Sequence, residues 1–409
     1  MRGYAVPGHL RVAHRRLAAL ALVLALAAAA VATPWSADAT NGLWRSRAEL
    51  AELPTTGAAW ERLKSTADAD LGKANIANQN SRHDTNTLAA ALVYARTDQE
   101  PYRKKARDGI AEAIGTERGG RTLALGRNLP AYVIAADLVE LRSYDPTLDG
   151  RFRAWLRAVR TEPLDGDTLI QTHEQRPNNW GTHAGAARVA ASAYLGDRAD
   201  LDRAARVFKG WLGDRTTYAG FKFGALSWQC NPSEPVAINP VGCMRRGAKL
   251  DGALPDDQRR SGGFSWPPKK ENYTWGALEG ATVQAELLRR QGYNAWHWED
   301  QALRRAVHWL YVHNRFAAIG DDTWVPWLVN HAYGTRFLAG PARSGKNMGF
   351  TDWTHAVKSP QDTETTDQTE TTDQTETTDQ TETTDQTETT DQTETTDQTE
   401  TTEETEGSG

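Results

Sequence analysis

The chain has 409 residues, a formal net charge of −6, 39% hydrophobic residues and two cysteines. So few cysteines exclude a disulfide-framed miniprotein, and a body of this length can bury a hydrophobic core of its own. Of the 47 basic and 53 acidic residues, residues 1–39 take 4 and 1 and residues 361–409 take 0 and 17. Residues 40–360 therefore hold 43 and 35, a net +8. A basic body suggests an acidic partner such as an anionic polysaccharide, nucleic acid or an anionic cell surface, although charge alone fits a solvated basic surface with no specific role equally well. Nucleic acid is disfavoured, because the basic residues are spread out and no recognised binding module is present.

Residues 1–39 read as a secretory signal. Arg11, Arg15 and Arg16 precede an Ala/Leu/Val run from Leu17 to Val31, and Ala37-Asp38-Ala39 has the small-x-small form of a cleavage site. The run is short for a membrane span, so the mature chain is expected outside the cytoplasm and free of the membrane. Residues 40–360 form the folded domain. From Thr363 to Gln398 the hexapeptide Thr-Glu-Thr-Thr-Asp-Gln repeats six times. With no apolar residue and one charge sign, residues 361–409 are predicted to be a disordered acidic tail.

The body reads as helical pairs: 87–95 with 102–114, 129–141 with 148–159, 179–195 with 201–212, and 273–291 with 300–312. In each pair the first helix is rich in Ala and small residues and the second carries an apolar stripe, as in Ala302, Ala306, Trp309 and Leu310. Short polar junctions make the pairs hairpins. The predicted fold is all-α, an incomplete (α/α) toroid with small-residue helices inside and amphipathic helices outside. Two stretches rich in Gly and Pro interrupt it, 218–268 and 320–353, and long ordered loops commonly carry function. Cys230 and Cys243 lie in the first, where a local disulfide is the expected pairing in an exported protein.

Arg176-Pro177-Asn178-Asn179-Trp180-Gly181-Thr182-His183 opens the third small-residue helix. Asn178 or Asn179 can cap it. Trp180 and His183, three apart, are expected on one face. Further along, Arg259-Arg260 and then Glu271-Asn272-Tyr273 precede the fourth such helix. His83 and the pair Arg127-Asn128 are read as lying just ahead of the first and second, so that all converge on one mouth. His331 is a weaker candidate. No histidine–carboxylate cluster has metal-ligand spacing, and no cofactor is called for.

These motifs resemble the alginate lyase family of the chondroitin AC/alginate lyase superfamily. That family often shows Asn-Asn-His-Gly-Thr-Trp where this chain has Asn178-Asn179-Trp180-Gly181-Thr182-His183, with the aromatic and the imidazole exchanged. The resemblance spans roughly residues 51–313. It implies a toroidal polysaccharide lyase whose site is an Asn, an imidazole, an Arg and a Tyr, matched here by Asn179, His183, Arg260 and Tyr273.

The chemistry supports the same residue types. β-Elimination at a 4-linked uronate removes the proton on C5, beside the carboxylate. Asn and Arg donors that neutralise this carboxylate stabilise the enolate-like state. A base must take the proton and an acid must protonate the leaving oxygen. Asn179 and Arg260 suit the first task, with Asn178, Trp180, Arg259, His83, Arg127, Asn128 and His331 as substrate contacts. His183 and Tyr273 suit the second. The alternatives are a glycoside hydrolase, drawing two carboxylates from Asp84, Asp137, Glu174 and Glu271, and a surface polysaccharide-binding protein without activity. The chain reads as a monomer.

Overall fold

The computed structural model describes residues 42–357, together with Met1 and Gly3. The described residues belong to one compact unit, Met1–Lys358. The signal segment and the acidic repeat predicted above lie outside the described residues. No helix among the described residues is long and apolar enough to cross a membrane.

The fold is all-α. A leading helix α1 (Ala58–Asp68) precedes the first hairpin, α2 (His83–Thr97) and α3 (Glu100–Ala113). The second is α4 (Thr122–Leu138) and α5 (Pro146–Val159). The third is α6 (Asn179–Leu195) and α7 (Arg198–Leu212). The fourth is α8 (Asn272–Arg290) and α9 (Trp298–Val312). Helix α10 (Val325–Tyr333) follows. Short connections within these hairpins, such as Asp98-Gln99 and Gly196-Asp197, make their members antiparallel. Gly196 takes the left-handed conformation (φ 69°) that ends α6.

Helices α2, α4, α6 and α8 form the inner layer, each packed on the next. Their small residues let the backbones approach closely. A Cβ on Gly126 of α4 would lie 2.8 Å from the His183 carbonyl carbon, and one on Gly280 of α8 would lie 2.4 Å from that of Thr182. Gly276 of α8 lies beside Asn179, Gly280 beside Thr182 and His183. The pairing advances in the same direction on both helices, so α6 and α8 run parallel and their N-termini share one mouth. The outer helices bury one stripe only, as in Leu201, Ala204, Ala205 and Phe208 of α7.

Three boundaries differ from the sequence reading. Arg127-Asn128 was expected ahead of the second inner helix, but α4 begins at Thr122 and contains both. Leu129-Pro130 imitates a helix start; Pro130 instead sits inside, where its missing N–H leaves the Gly126 carbonyl without its helical donor. His83 and Asp84 are the first residues of α2 rather than its forerunners. Helix α10 arises within the stretch 320–353 read as irregular; with nine residues it is too short to display a period, although Pro326 in its first turn and Gly334 at its end mark it. The stretch 218–268 is largely irregular and carries a two-residue hairpin, Met244–Arg245 on Ala248–Lys249, with Met244 opposite Lys249. Cys230 and Cys243 are joined by a disulfide.

Candidate active site

Asn178 is the N-cap of α6, its side chain accepting the Trp180 N–H at 3.2 Å. The next residue, Asn179, is fully buried, and both polar atoms of its side chain lack a hydrogen-bond partner. Its own N–H donates to Asp257 Oδ1 at 3.0 Å. Asp257 therefore ties the short helical segment 255–261 to the start of α6. Burial, with Asp256 adjacent, pushes its carboxyl well above the usual range, and the positive charges of Arg260 and Arg259 oppose that.

His183 lies one turn deeper on the face of Asn179 and is also fully buried. Its Nδ1 is 2.7 Å from the Asn347 side-chain amide. Its Nε2 has no hydrogen-bond partner and lies 3.7 Å from Glu279 of α8. Glu279 is buried, with both oxygens lacking a donor. Burial chiefly, and Asp322 next, push the Glu279 carboxyl well above its ordinary value; Lys346 and Arg127 oppose this. Asp322 is itself raised to about 7, chiefly by burial. Burial, then Arg127 and Lys346, hold His183 well below the ordinary imidazole value, so it is neutral at pH 7. A buried seam thus runs from Asn179 through His183 and Glu279 to Asp322, holding polar atoms without partners. Such atoms are uncommon in folded proteins.

At the mouth, Tyr273 is partly exposed in the first turn of α8, and the exposed Arg260 guanidinium stacks over its ring at 4.3 Å. Glu271 caps that helix by accepting the Tyr273 N–H at 3.2 Å. Tyr273 and Gly276 are three apart on one face of α8, and Gly276 lies against Asn179. Asn179, His183, Tyr273 and Arg260 are thereby brought to the same end of the same two helices. Arg259 turns aside to pair with Asp256 at 2.9 Å.

Trp180 does not share His183's surroundings as the spacing predicted. Its ring is partly exposed beneath the Arg176 guanidinium at 4.7 Å, whereas His183 faces α4 and α8. His83 hydrogen-bonds Tyr132 Oη through Nδ1 at 2.7 Å and lines an open polar pocket of about 470 Å³ with Asn75, Asn78, Asn80 and Arg82. Asn128 is held differently from its predicted role. Its Nδ2 donates to the carbonyls of Ile76 and Asn78, both at 3.0 Å, so it fastens that loop. His331 is a correction. It sits in the last turn of α10, 5.1 Å from the His355 ring, near Glu286. Glu286 is 13 residues beyond Tyr273 on α8, about 20 Å along the helix, so His331 lies away from the mouth.

The four carboxylates considered for hydrolysis have other partners or surroundings. Glu174 is gripped by Arg188 and Arg203. Asp137, in the last turn of α4, accepts the Leu43 N–H. Glu271 is a helix cap, and Asp84 is buried at the foot of α2 with its carboxyl raised to about 8 by burial. Among the described residues no group of three or more His, Cys, Asp or Glu side chains could hold a metal ion. The sequence reading missed Asp257, Glu279, Asp322, Lys346 and Asn347. Glu279 carried a signal, a lone acid among the small residues of an inner helix. The others sit in single helical turns or loops, too short for spacing to say anything about position.

Residues 62–221 match the family model described as Alginate lyase. This match supports an assignment to the alginate lyase family. The matched stretch holds the first three inner helices and the whole of Asn178–His183. Arg260, Tyr273, Glu279 and Asn347 lie beyond it, so this half of the site rests on the geometry above. No curated protein and no solved structure matches the chain.

Proposed function

We propose that this protein is an exported polysaccharide lyase that cleaves a 4-linked uronate polymer by β-elimination, with alginate as the first substrate to test. Its family implies a polysaccharide lyase, and the basic body suits an acidic chain. The observation that carries the reading is Asn179, a buried amide with both polar atoms unpartnered. It lies at an inner-helix start beside the face of α8 that bears Arg260-stacked Tyr273.

In this reading Arg260 and the Asn179 amide receive the uronate carboxylate, and Trp180 offers its ring to a sugar face. Withdrawing charge from that carboxylate makes the C5 proton acidic enough to remove. Tyr273 and His183 share the proton work. One takes the C5 proton as the C4–O bond breaks and a C4–C5 double bond forms. The other protonates the departing oxygen. Tyr273 is the one that reaches solvent.

The test is ultraviolet absorbance of the unsaturated product during incubation of residues 40–360 with alginate, polyglucuronate, hyaluronan or chondroitin. A rise on one polymer, lost in Tyr273→Phe and Asn179→Ala, is expected. Reducing ends released without absorbance would make the protein a hydrolase. Binding without cleavage would make it a polysaccharide-binding protein.

A further inference from the structure

The histidine in this site is held by a residue far away in sequence, and that residue is held by a proline. Pro130 lies in the interior of α4 and has no N–H. The carbonyl four residues earlier, that of Gly126, therefore has no helical donor, and a buried carbonyl without one costs free energy. The side chain of Asn347 fills this position. With its nitrogen toward α4, Nδ2 donates to Gly126 O at 2.6 Å and to Arg127 O at 3.1 Å, and Oδ1 accepts from His183 Nδ1 at 2.7 Å. The reverse orientation would set the amide oxygen against two carbonyl oxygens. The two helical carbonyls thus choose the amide's orientation, and the amide chooses the histidine's tautomer.

Two further features mark this contact as built. Asn347 (φ 88°) and the preceding Lys346 (φ 46°) both occupy the left-handed region, which non-glycine residues adopt at a cost. Gly126 has no room for a Cβ against the backbone of His183, so α4 and α6 meet closely enough for one amide to span them. Asn347 itself is fully buried.

We propose that Asn347 is the positioning residue of His183: it fixes the ring as the Nδ1–H tautomer and leaves the Nε2 lone pair facing the Asn179–Glu279 seam, while Pro130 frees the Gly126 carbonyl that orients Asn347. The catalytic consequence rests on the lyase reading given above; the tautomer does not. A neutral imidazole with its lone pair turned into the site can accept a proton there, and the opposite tautomer cannot. The charged and titratable groups around the ring are Arg127 from α4, Glu279 from α8, Asp322 from the turn before α10, and Lys346 from the loop that carries Asn347.

The experiment is long-range ¹H–¹⁵N correlation on the full chain labelled at histidine nitrogen, with His183 assigned by its absence in His183→Gln. Wild type is expected to show His183 protonated at Nδ1 alone. Asn347→Ala should move the ring toward a mixture or toward Nε2–H. Pro130→Ala, which restores a helical donor to Gly126 O, should shift it in the same direction by less. On the active substrate, Asn347→Ala should lower kcat by about 10²-fold, the scale of a lost general acid–base contribution, with KM within about twofold. A wild-type His183 protonated at Nε2, or a Nδ1–H form unchanged in both variants, would overturn the proposal. If Asn347→Ala does not fold, the wild-type tautomer and Pro130→Ala decide it. Absence of activity on every polymer would sink the lyase reading and leave the tautomer result standing. Cleavage that persists with the wrong tautomer would do the reverse.

Discussion

Helix α8 buries two glutamates seven residues apart, and they are treated in opposite ways. Glu286 is surrounded by donors. Arg289 reaches it at 2.6 Å, Trp296 Nε1 donates at 3.1 Å, and His355 Nε2 stands 3.8 Å away. These partners overcome burial and hold its carboxyl well below the ordinary range. Nearby Glu49 and Arg290 pair at 2.6 Å and tie the N-terminal segment to the end of α8. Glu279, two turns toward the mouth, has no donor and is pushed the other way. One carboxylate is compensated as a structural joint should be. The other has no hydrogen-bond donor, is only partly offset by the charges of Lys346 and Arg127, and stands beside an unpartnered amide and the free Nε2 of an imidazole, the pattern expected where chemistry needs a shifted group.

The sharpest use of the contrast is to cut each end. At the mouth, Tyr273→Phe should reduce elimination by about 10²- to 10⁴-fold, the range for a lost acid–base group, without lowering the melting temperature. At the far end, Glu286→Ala should cost about 3 kcal/mol in chemical denaturation, because it strands partners in the interior. Its activity per folded molecule should be unchanged. Glu279→Gln should lower stability by no more than about 1 kcal/mol, since no donor is lost. Equal destabilisation by Glu286→Ala and Glu279→Gln would erase the distinction between the two ends.

Packing between them is probed by Gly280→Ala. The added Cβ would press on the α6 backbone, and a loss of about 1–3 kcal/mol is expected from overpacking. Gly276→Ala, whose Cβ would meet nothing closer than 3.7 Å, should be far milder.

The two ends should also answer pH with opposite sign. Asp322, raised from 3.8 to about 7 chiefly by burial, is neutral in the fold when the unfolded chain has already ionised it. Its effect is to lower stability as pH rises from about 4 to 7, by at most about 1.4 kcal/mol per pH unit. Asp322→Asn should flatten that slope in urea melts. Glu286, with a depressed value, contributes stability that is present above the unfolded carboxylate pKa and lost as pH falls through the folded one. The smallest effect is expected from Trp180→Ala. Loss of the Arg176-stacked ring should raise KM several-fold, about 1 kcal/mol, with kcat little changed.

Much of the helical frame was legible in the sequence. Small-residue helices alternating with striped ones at hairpin spacing require an inner and an outer layer, and the Asn178-Asn179 pair marked the start of α6. The errors share a cause. Pro130 is a helix-start signal only if nothing else can satisfy the carbonyl it orphans, and Asn347, more than two hundred residues later, does so. His331 read as a site residue because periodicity cannot say which end of a toroid a short helix occupies.

Sequence by itself determined the class of fold, the basic charge of the body and the resemblance to a family. These depend on local spacing, composition and capping, which travel with the chain. Tertiary structure decided which polar groups are left without partners. Glu279 and Glu286 are identical residues on one face of one helix. Only the packing of Arg289, Trp296 and His355 at one end, and their absence at the other, makes one a joint and leaves the other without a donor in the candidate site. It also decided the tautomer of His183, because that depends on a carbonyl of α4 and an amide of a distant loop meeting at one point.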